Sequence, residues 1–332
     1  MKSTDIANIF VGADRSQLLA VKVLEHSIKR HTDLDVRVRA MDDLNLPDPK
    51  DPRQAKRTGF SFTRFAIPQL MGYKGRAVYL DADMLVFRDF RELWELPFDG
   101  AKINIQEEMS DAAQVDGKTG APKKRVKQCS VMLLDCERLD WDPIKIIAGL
   151  DGQYTYEQLM SQMCILGESE VKYGVLFRWN SLEVYEPGVT GLIHYTDMHT
   201  QPWVSPENKN GYLWLEEVRM MLESGALSWA TLEEEVKLGF FRPSLLVELK
   251  EAGSGPVKPV TPEQIARYTA IDKDAKYVKH RDVYEAKKRR EAAVKAYEAN
   301  LAAESGPAAV AVNAATSAVQ SFASSVKKFV SR

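Results

Sequence analysis

The residues best suited to chemistry lie in YLDADMLVF, Tyr79 to Phe87. An apolar run leads straight into Asp81-Ala82-Asp83. In an extended chain, residues two apart project to the same side, so both carboxylates can face one ligand. Two carboxylates held together at a strand end repel each other unless a cation neutralises them. A divalent metal bound to a diphosphate meets that need: it bridges phosphate oxygens and, as a Lewis acid, stabilises charge on a departing nucleoside diphosphate. Two solvated aspartates in a turn show the same spacing, so Asp-x-Asp alone is weak and its context decides. GLIHY, Gly191 to Tyr195, reads as a strand with His194 near its end. A histidine on an apolar strand is more often a hydrogen-bonded core residue than a ligand. Were it to join Asp81 and Asp83, it would complete an O,O,N set that suits Mn²⁺ somewhat better than Mg²⁺.

Positioning such a set requires strand ends that meet at one edge. IANIFVG (Ile6 to Gly12) reads as a buried strand, followed by a largely apolar helix through Leu18, Leu19, Val21, Val23, Leu24 and Ile28. DVRVRA (Asp35 to Ala40), RAVYL (Arg76 to Leu80), KINI (Lys102 to Ile105) and SVMLL (Ser130 to Leu134) supply further strands. SFTRFAIPQL predicts a helix broken or kinked near Pro68. Strands alternating with helical patterns predict an α/β fold whose mostly parallel sheet is covered by helices on both faces. Such sheets place ligands at the carboxyl ends of their strands.

Bulk properties set limits on function. A chain of 332 residues accommodates one large domain with an appendage. The punctuation divides it into a domain over 1–250, a Gly- and Pro-rich linker over 251–263, a charged helical extension over 264–304 and an amphipathic tail over 305–332. A net charge of -2 gives no reason to expect nucleic acid as a partner. Cys129, Cys136 and Cys164 are odd in number and lack a metal-ligand spacing, which fits a reducing compartment. The N-terminal residues lack a signal-peptide core, and no stretch approaches the roughly 18 apolar residues of a spanning helix. The expectation is a cytoplasmic protein. In the tail, Val312, Ala315, Val319, Phe322, Val326 and Phe329 share one helical side. Lys327, Lys328 and Arg332 add attraction to anionic lipid of about 1 kcal/mol each. The inner face of the membrane is therefore an expected docking surface, with packing on its own domain, dimerisation or disorder as the alternatives.

The order of these motifs resembles family 8 glycosyltransferases, which have the GT-A nucleotide-sugar-binding fold. In SFTRFAIPQLMGYKGRAVYLDADMLVFRDFRELW, Arg64, Asp81, Asp83 and Trp94 stand where that family has a Tyr/Ser-x-Arg helix, its Asp-x-Asp and a Leu-Trp. IFVGADRSQLLAVKVLEHSI resembles the family's first strand and helix, and LIHYTDMHTQPW its closing motif. The resemblance covers roughly residues 6 to 205. It implies that Asp14 contacts the nucleotide base, that Arg64 serves the donor, and that Asp81, Asp83 and His194 hold Mn²⁺ or Mg²⁺. It further implies transfer of a hexose from a UDP-linked sugar, with retention, to an acceptor expected to be a glycan or glycolipid.

The chain departs from that pattern in three places. The Lys before Pro-Trp, which touches a donor phosphate in the family, is Gln201 here, so His199, Lys209 or another residue replaces it or the contact is missing. The usual Asn-Ser/Ala-Gly reads Gln128-Cys129-Ser130. The acidic segment lining the sugar is represented by TYEQLM, which makes Glu157 and Gln158, together with Gln106, the candidate catalytic residues near the anomeric carbon. Two other readings stay open. A haloacid-dehalogenase-type phosphatase also has Asp-x-Asp after an apolar strand, but usually with Thr or Val where this chain has Leu85. A catalytically silent scaffold would keep the nucleotide-sugar fold without turnover.

Overall fold

Alternation along the strands decides which residues face which layer. The computed structural model describes residues 6–107 and 127–303. In chain order, β1 (Ala7–Gly12), α1 (Leu18–Arg30), β2 (Val36–Ala40), α2 (Ile67–Leu70), β3 (Arg76–Asp81), β4 (Met84–Val86) and α3 (Arg91–Trp94) form the first part. There follow β5 (Ile103–Gln106), β6 (Val131–Asp135), α4 (Pro143–Gly149), α5 (Tyr156–Gln162), β7 (Val171–Val175), β8 (Ser181–Leu182) and β9 (Leu192–His194). Helices α6 (Gly211–Ser224), α7 (Trp229–Lys237), α8 (Ser244–Ala252) and α9 (Pro262–Asp274) come next, and a helix over 281–303, α10, ends the described chain.

The central sheet runs β2-β1-β3-β6-β5-β7. All its strands run in one direction except β6, which is antiparallel to both β3 and β5. Phe10, Tyr79, Ile105 and Met132 enter one core with residues of α4 and α5, while Ile9, Val11, Val78 and Leu80 enter another with α1 and α3. Each such side chain, fully buried, contributes roughly 1.5–3 kcal/mol. The α/β expectation with helices on both faces therefore holds, and β1, β2, β3, β5 and β6 lie within a residue or two of the positions read from the apolar runs, whereas β7, with three half-buried residues in five, had no such run to mark it. The break near Pro68 also appears: a 3₁₀ turn, Thr63–Ala66, precedes α2, and Pro68 sits in the first turn of α2, where its missing N–H costs no helical bond.

A second, three-stranded sheet was not expected. It has the order β4-β9-β8, and β4 pairs antiparallel with β9. Leu85 and Ile193 from this sheet join α1, α6, α7 and α8 in a third core. Val257 is buried in that core, and its N–H donates to Glu216. Helix α9 is tied to α8 through Asp272, which accepts from the Ser244 backbone N–H and hydroxyl, both at 2.8 Å. Most of α10 is exposed. The amphipathic tail expected over 305–332 lies outside the described residues. Among the described residues, no helix is long and apolar enough to cross a membrane.

Candidate active site

Two strand registers assemble the site. Pairing of β1 with β3 sets Gly12 beside Asp81, at the carboxyl ends of both strands. Pairing of β4 with β9 sets Met84 opposite His194, and Tyr195 N–H donates to the Asp83 carbonyl at 2.8 Å. Asp81 ends β3, and the chain bends at Ala82 and Asp83 before β4. Strand alternation, expected to aim both carboxylates, therefore aims only Asp81. The bend and the β4–β9 ladder aim Asp83.

The three side chains converge. His194 Nε2 lies 3.0 Å from Asp83 Oδ1 and 3.9 Å from Asp81 Oδ2. One ligand atom from each of Asp81, Asp83 and His194 falls within 4.8 Å of the others. Oxygen and imidazole ligands about 2.0–2.2 Å from a divalent ion sit in this range of mutual distances. Asp83 Oδ1 is buried, and apart from the His194 ring nitrogen it meets no donor, the condition that a bound cation would relieve. Burial raises the pKa of Asp81 above the ordinary carboxyl range. Arg64 pulls it back down, and the neighbouring Asp83 carboxylate pushes it further up. The donor set and its electrostatics fit a divalent cation.

Asp81 is held from behind by a residue to which the motif assigned no role. Tyr79 donates its hydroxyl hydrogen to Asp81 Oδ1 at 2.7 Å and accepts from Arg64 Nη2 at 3.0 Å. Arg64 is buried, with its Nη1 donating to the Cys129 carbonyl and its Nη2 3.9 Å from Asp81 Oδ1. Gly12 makes room for this link, since a Cβ there would stand 2.3 Å from the Tyr79 oxygen and 2.8 Å from Phe60. Tyr79→Phe keeps the ring but deletes a hydrogen bond to a charged carboxylate and another from a guanidinium. Removing hydrogen bonds to charged groups costs about 1.5–3 kcal/mol each at most, so a loss of about 1–3 kcal/mol is expected in urea unfolding. A variant as stable as the wild type would show that water replaces the hydroxyl at no cost.

The remaining candidates are divided between this cluster and other places. Gln201 is buried against it: its Nε2 donates to Asp83 Oδ2 at 2.8 Å and to the Tyr195 carbonyl at 2.9 Å. Gln106, at the end of β5, is buried and accepts a hydrogen bond from Asn180 Nδ2. Asp14 follows β1 and caps the 3₁₀ turn Arg15–Gln17, accepting from Ser16 N–H at 2.9 Å. Trp94 packs in the core under the guanidinium of Arg76. Glu157 is exposed in the first turn of α5. Gln158 is engaged in a capping box with Thr155 and lines a cavity of about 580 Å³ whose walls include Arg53, Tyr154 and Tyr297. None of the residues lining that cavity belongs to the Asp81–Asp83–His194 cluster.

Two contributors were missed from the sequence. Asn180 meets His194 across 14 positions of chain, with no spacing signal to announce it. The start of α10 packs near the site: His280 Nε2 lies 2.8 Å from the Met198 carbonyl, Lys279 donates to the His199 carbonyl, and Tyr284 stacks on His199. Burial lowers the His280 pKa, with Asp14 and Asp83 among the groups that oppose the shift. The charged pattern of α10 announced a helix but not its course.

Comparison with known proteins bears on this geometry. Residues 9–138 match the family model Glycosyl transferase family 8. The match covers less than half of the chain and includes Asp14, Arg64, Asp81, Asp83 and Gln106, but not His194 or Gln201. Protein CDI of Arabidopsis thaliana is 30% identical over 135 residues, which are 39% of this chain and 52% of that protein. The chain thus spans about half the length of this curated relative. The apo structure of the bifunctional glycosyltransferase WbbM is 14% identical with a TM-score of 0.49, over 66% of this chain and 50% of that one. The glycosyltransferase GlyE of Streptococcus pneumoniae TIGR4, also in apo form, is 14% identical with a TM-score of 0.46, over 72% of this chain and 65% of that one. These two likenesses are too distant to bear on the site, and the sheet order above rests on the chain itself. The chain resembles family 8-type glycosyltransferases, most directly over residues 9–138.

Proposed function

We propose that this chain is a divalent-metal-dependent glycosyltransferase, moving a hexose from a UDP-linked sugar to a glycan or glycolipid acceptor with retention of configuration. The observation that carries the reading is the convergence of Asp81, Asp83 and His194 at the carboxyl edge of the sheet, with a buried Asp83 oxygen that meets only the His194 ring nitrogen. Mn²⁺ or Mg²⁺ held by these residues supplies Lewis-acid charge for the departing diphosphate. The chain's own residues set the geometry. Tyr79 and Arg64 hold Asp81, Gln201 holds Asp83, and Asp14 stands at the end of β1 as the candidate contact to the base.

Gln201 stands where the family has a phosphate-contacting lysine, and its amide is directed to Asp83. In this reading it orients a metal ligand. Glu157, Gln158 and Gln106 are proposed near the transferred sugar on the strength of the resemblance alone. The basic run Lys287 to Arg290 on α10, together with the tail over 305–332, is the surface proposed to meet anionic lipid.

The test is a thermal-shift screen of UDP-, GDP- and dTDP-sugars with and without Mn²⁺. A ligand at 100 times its Kd stabilises the native state by about 2.7 kcal/mol, and that shift is expected for a UDP-sugar only with the metal present. Hydrolysis of an aryl phosphate with no response to any nucleotide would favour the phosphatase reading. No response to nucleotide or metal would favour the silent scaffold.

A further inference from the structure

We infer that Asn180, backed by Gln106, is the positioning residue that sets the tautomer of His194 and so makes its Nε2 a metal ligand. The inference rests on the metal-site reading above and adds residues that neither the motif nor the family match singles out for this task.

The geometry begins with burial. Asn180, Gln106 and His194 are 1%, 2% and 5% exposed, so water does not compete for their polar atoms. Asn180 follows the 3₁₀ turn Phe177–Trp179, and its Nδ2 donates to Gln106 Oε1. That donation leaves Asn180 Oδ1 as the atom facing His194 Nδ1, at 2.9 Å. An amide oxygen only accepts, so Nδ1 must carry the ring hydrogen. In the neutral imidazole the lone pair then sits on Nε2, the atom that faces Asp83 Oδ1 and Asp81 Oδ2. The opposite tautomer would place two lone pairs, on Nδ1 and Oδ1, against each other in a buried site. It would also turn an N–H towards the position a cation needs. Gln106 is placed for this role at a register shift in the β5–β7 ladder, between Ile105 and Gln106.

The acceptor is an amide where metal-ligating histidines often use a carboxylate. A neutral acceptor orients the ring without adding a third negative charge beside Asp81 and Asp83. This gives a reason for Asn at 180 in preference to Asp: an acid would hold the ring in the same tautomer but would bury a third carboxylate against the cluster.

The test measures the metal directly. Free Mn²⁺ is titrated by its electron paramagnetic resonance signal in the presence of UDP. Asn180→Ala is expected to weaken Mn²⁺ binding about 10–100-fold, the usual cost of losing such a partner. Asn180→Asp, which keeps an accepting oxygen for Nδ1, is expected to retain Mn²⁺ binding far better than Asn180→Ala. Nitrogen-15 NMR of the wild type loaded with Mg²⁺ and UDP is expected to show hydrogen on Nδ1 of His194 and none on Nε2, a readout that does not depend on any variant folding. Unchanged Mn²⁺ affinity in a folded Asn180→Ala while His194→Ala loses it would overturn the role of Asn180; hydrogen on Nε2 in the loaded protein would mean that this nitrogen holds no metal and would overturn the metal-site reading. Unchanged Mn²⁺ affinity in His194→Ala would likewise overturn the metal-site reading, and this inference with it.

Discussion

Asp83→Asn removes divalent-cation binding and lowers donor turnover by at least about a hundredfold, while the metal-free protein stays folded. The size follows from the loss of a charged ligand at a site whose work is electrostatic, where removing a single stabilising group costs about 10²–10³ in rate. Asp83 offers one oxygen to Gln201 and holds the other buried against the His194 ring nitrogen alone. An amide in its place is a poor ligand and cannot offset the cation's charge. It also removes a negative charge beside Asp81, whose pKa is raised by burial and by that same neighbour. The metal-free melting temperature should therefore stay level or rise, while the stabilisation by UDP with Mn²⁺ disappears. Asp81→Asn should behave alike, and His194→Ala should be milder because a water can fill the vacated nitrogen position. Calorimetric titration with Mn²⁺ and UDP, beside a donor-hydrolysis assay, decides the matter. Wild-type metal affinity in all three variants would sink the assignment.

Arg242→Ala destabilises the fold by about 3–5 kcal/mol, the usual result of leaving a buried charge without its partner. Arg242 is 1% exposed. Its Nε donates to the Pro202 carbonyl at 3.0 Å, its Nη1 to Ser244 Oγ at 2.7 Å, and its Nη2 pairs with Glu248, which is itself buried. Ser244 is held in turn by Asp272 of α9. One guanidinium thus ties the Pro202-Trp203 segment, next to Gln201, to α8 and through Ser244 to α9. Alanine orphans the Glu248 carboxylate and takes a donor from the Pro202 carbonyl and the Ser244 hydroxyl. Arg242→Met paired with Glu248→Leu removes both charges and fills the space, so it should recover most of the loss. Urea unfolding of the three proteins measures this. A loss below about 1 kcal/mol in Arg242→Ala would mean that solvent reaches Glu248 and that the network contributes little.

Features that depend on neighbours along the chain are legible before any fold is known. Apolar runs such as NIFVG and AVYL locate β1 and β3 because side chains alternate with a period of two, and burial on both faces leaves an unbroken apolar string. Asp81-Ala82-Asp83 was legible because two acids at a strand end are costly without a partner, wherever the rest of the chain goes. The order of the motifs, with His194 last, was legible as a resemblance.

Which distant residues meet depends on register and packing. His194 reaches the two aspartates through the β4–β9 ladder; the apolar run of β9 is legible, but nothing local says that it pairs with β4. The reversed direction of β6 depends on its partners, because an apolar run reads the same in either sense. Asn180 and Tyr79 act through single hydrogen bonds, whose partners no composition or periodicity encodes. Gln201 was legible as a missing lysine, yet its partner Asp83 stands 118 positions away. Period and propensity are local, while a binding site is built where strand ends from separate parts of the chain are brought together, and that convergence is set by register and packing.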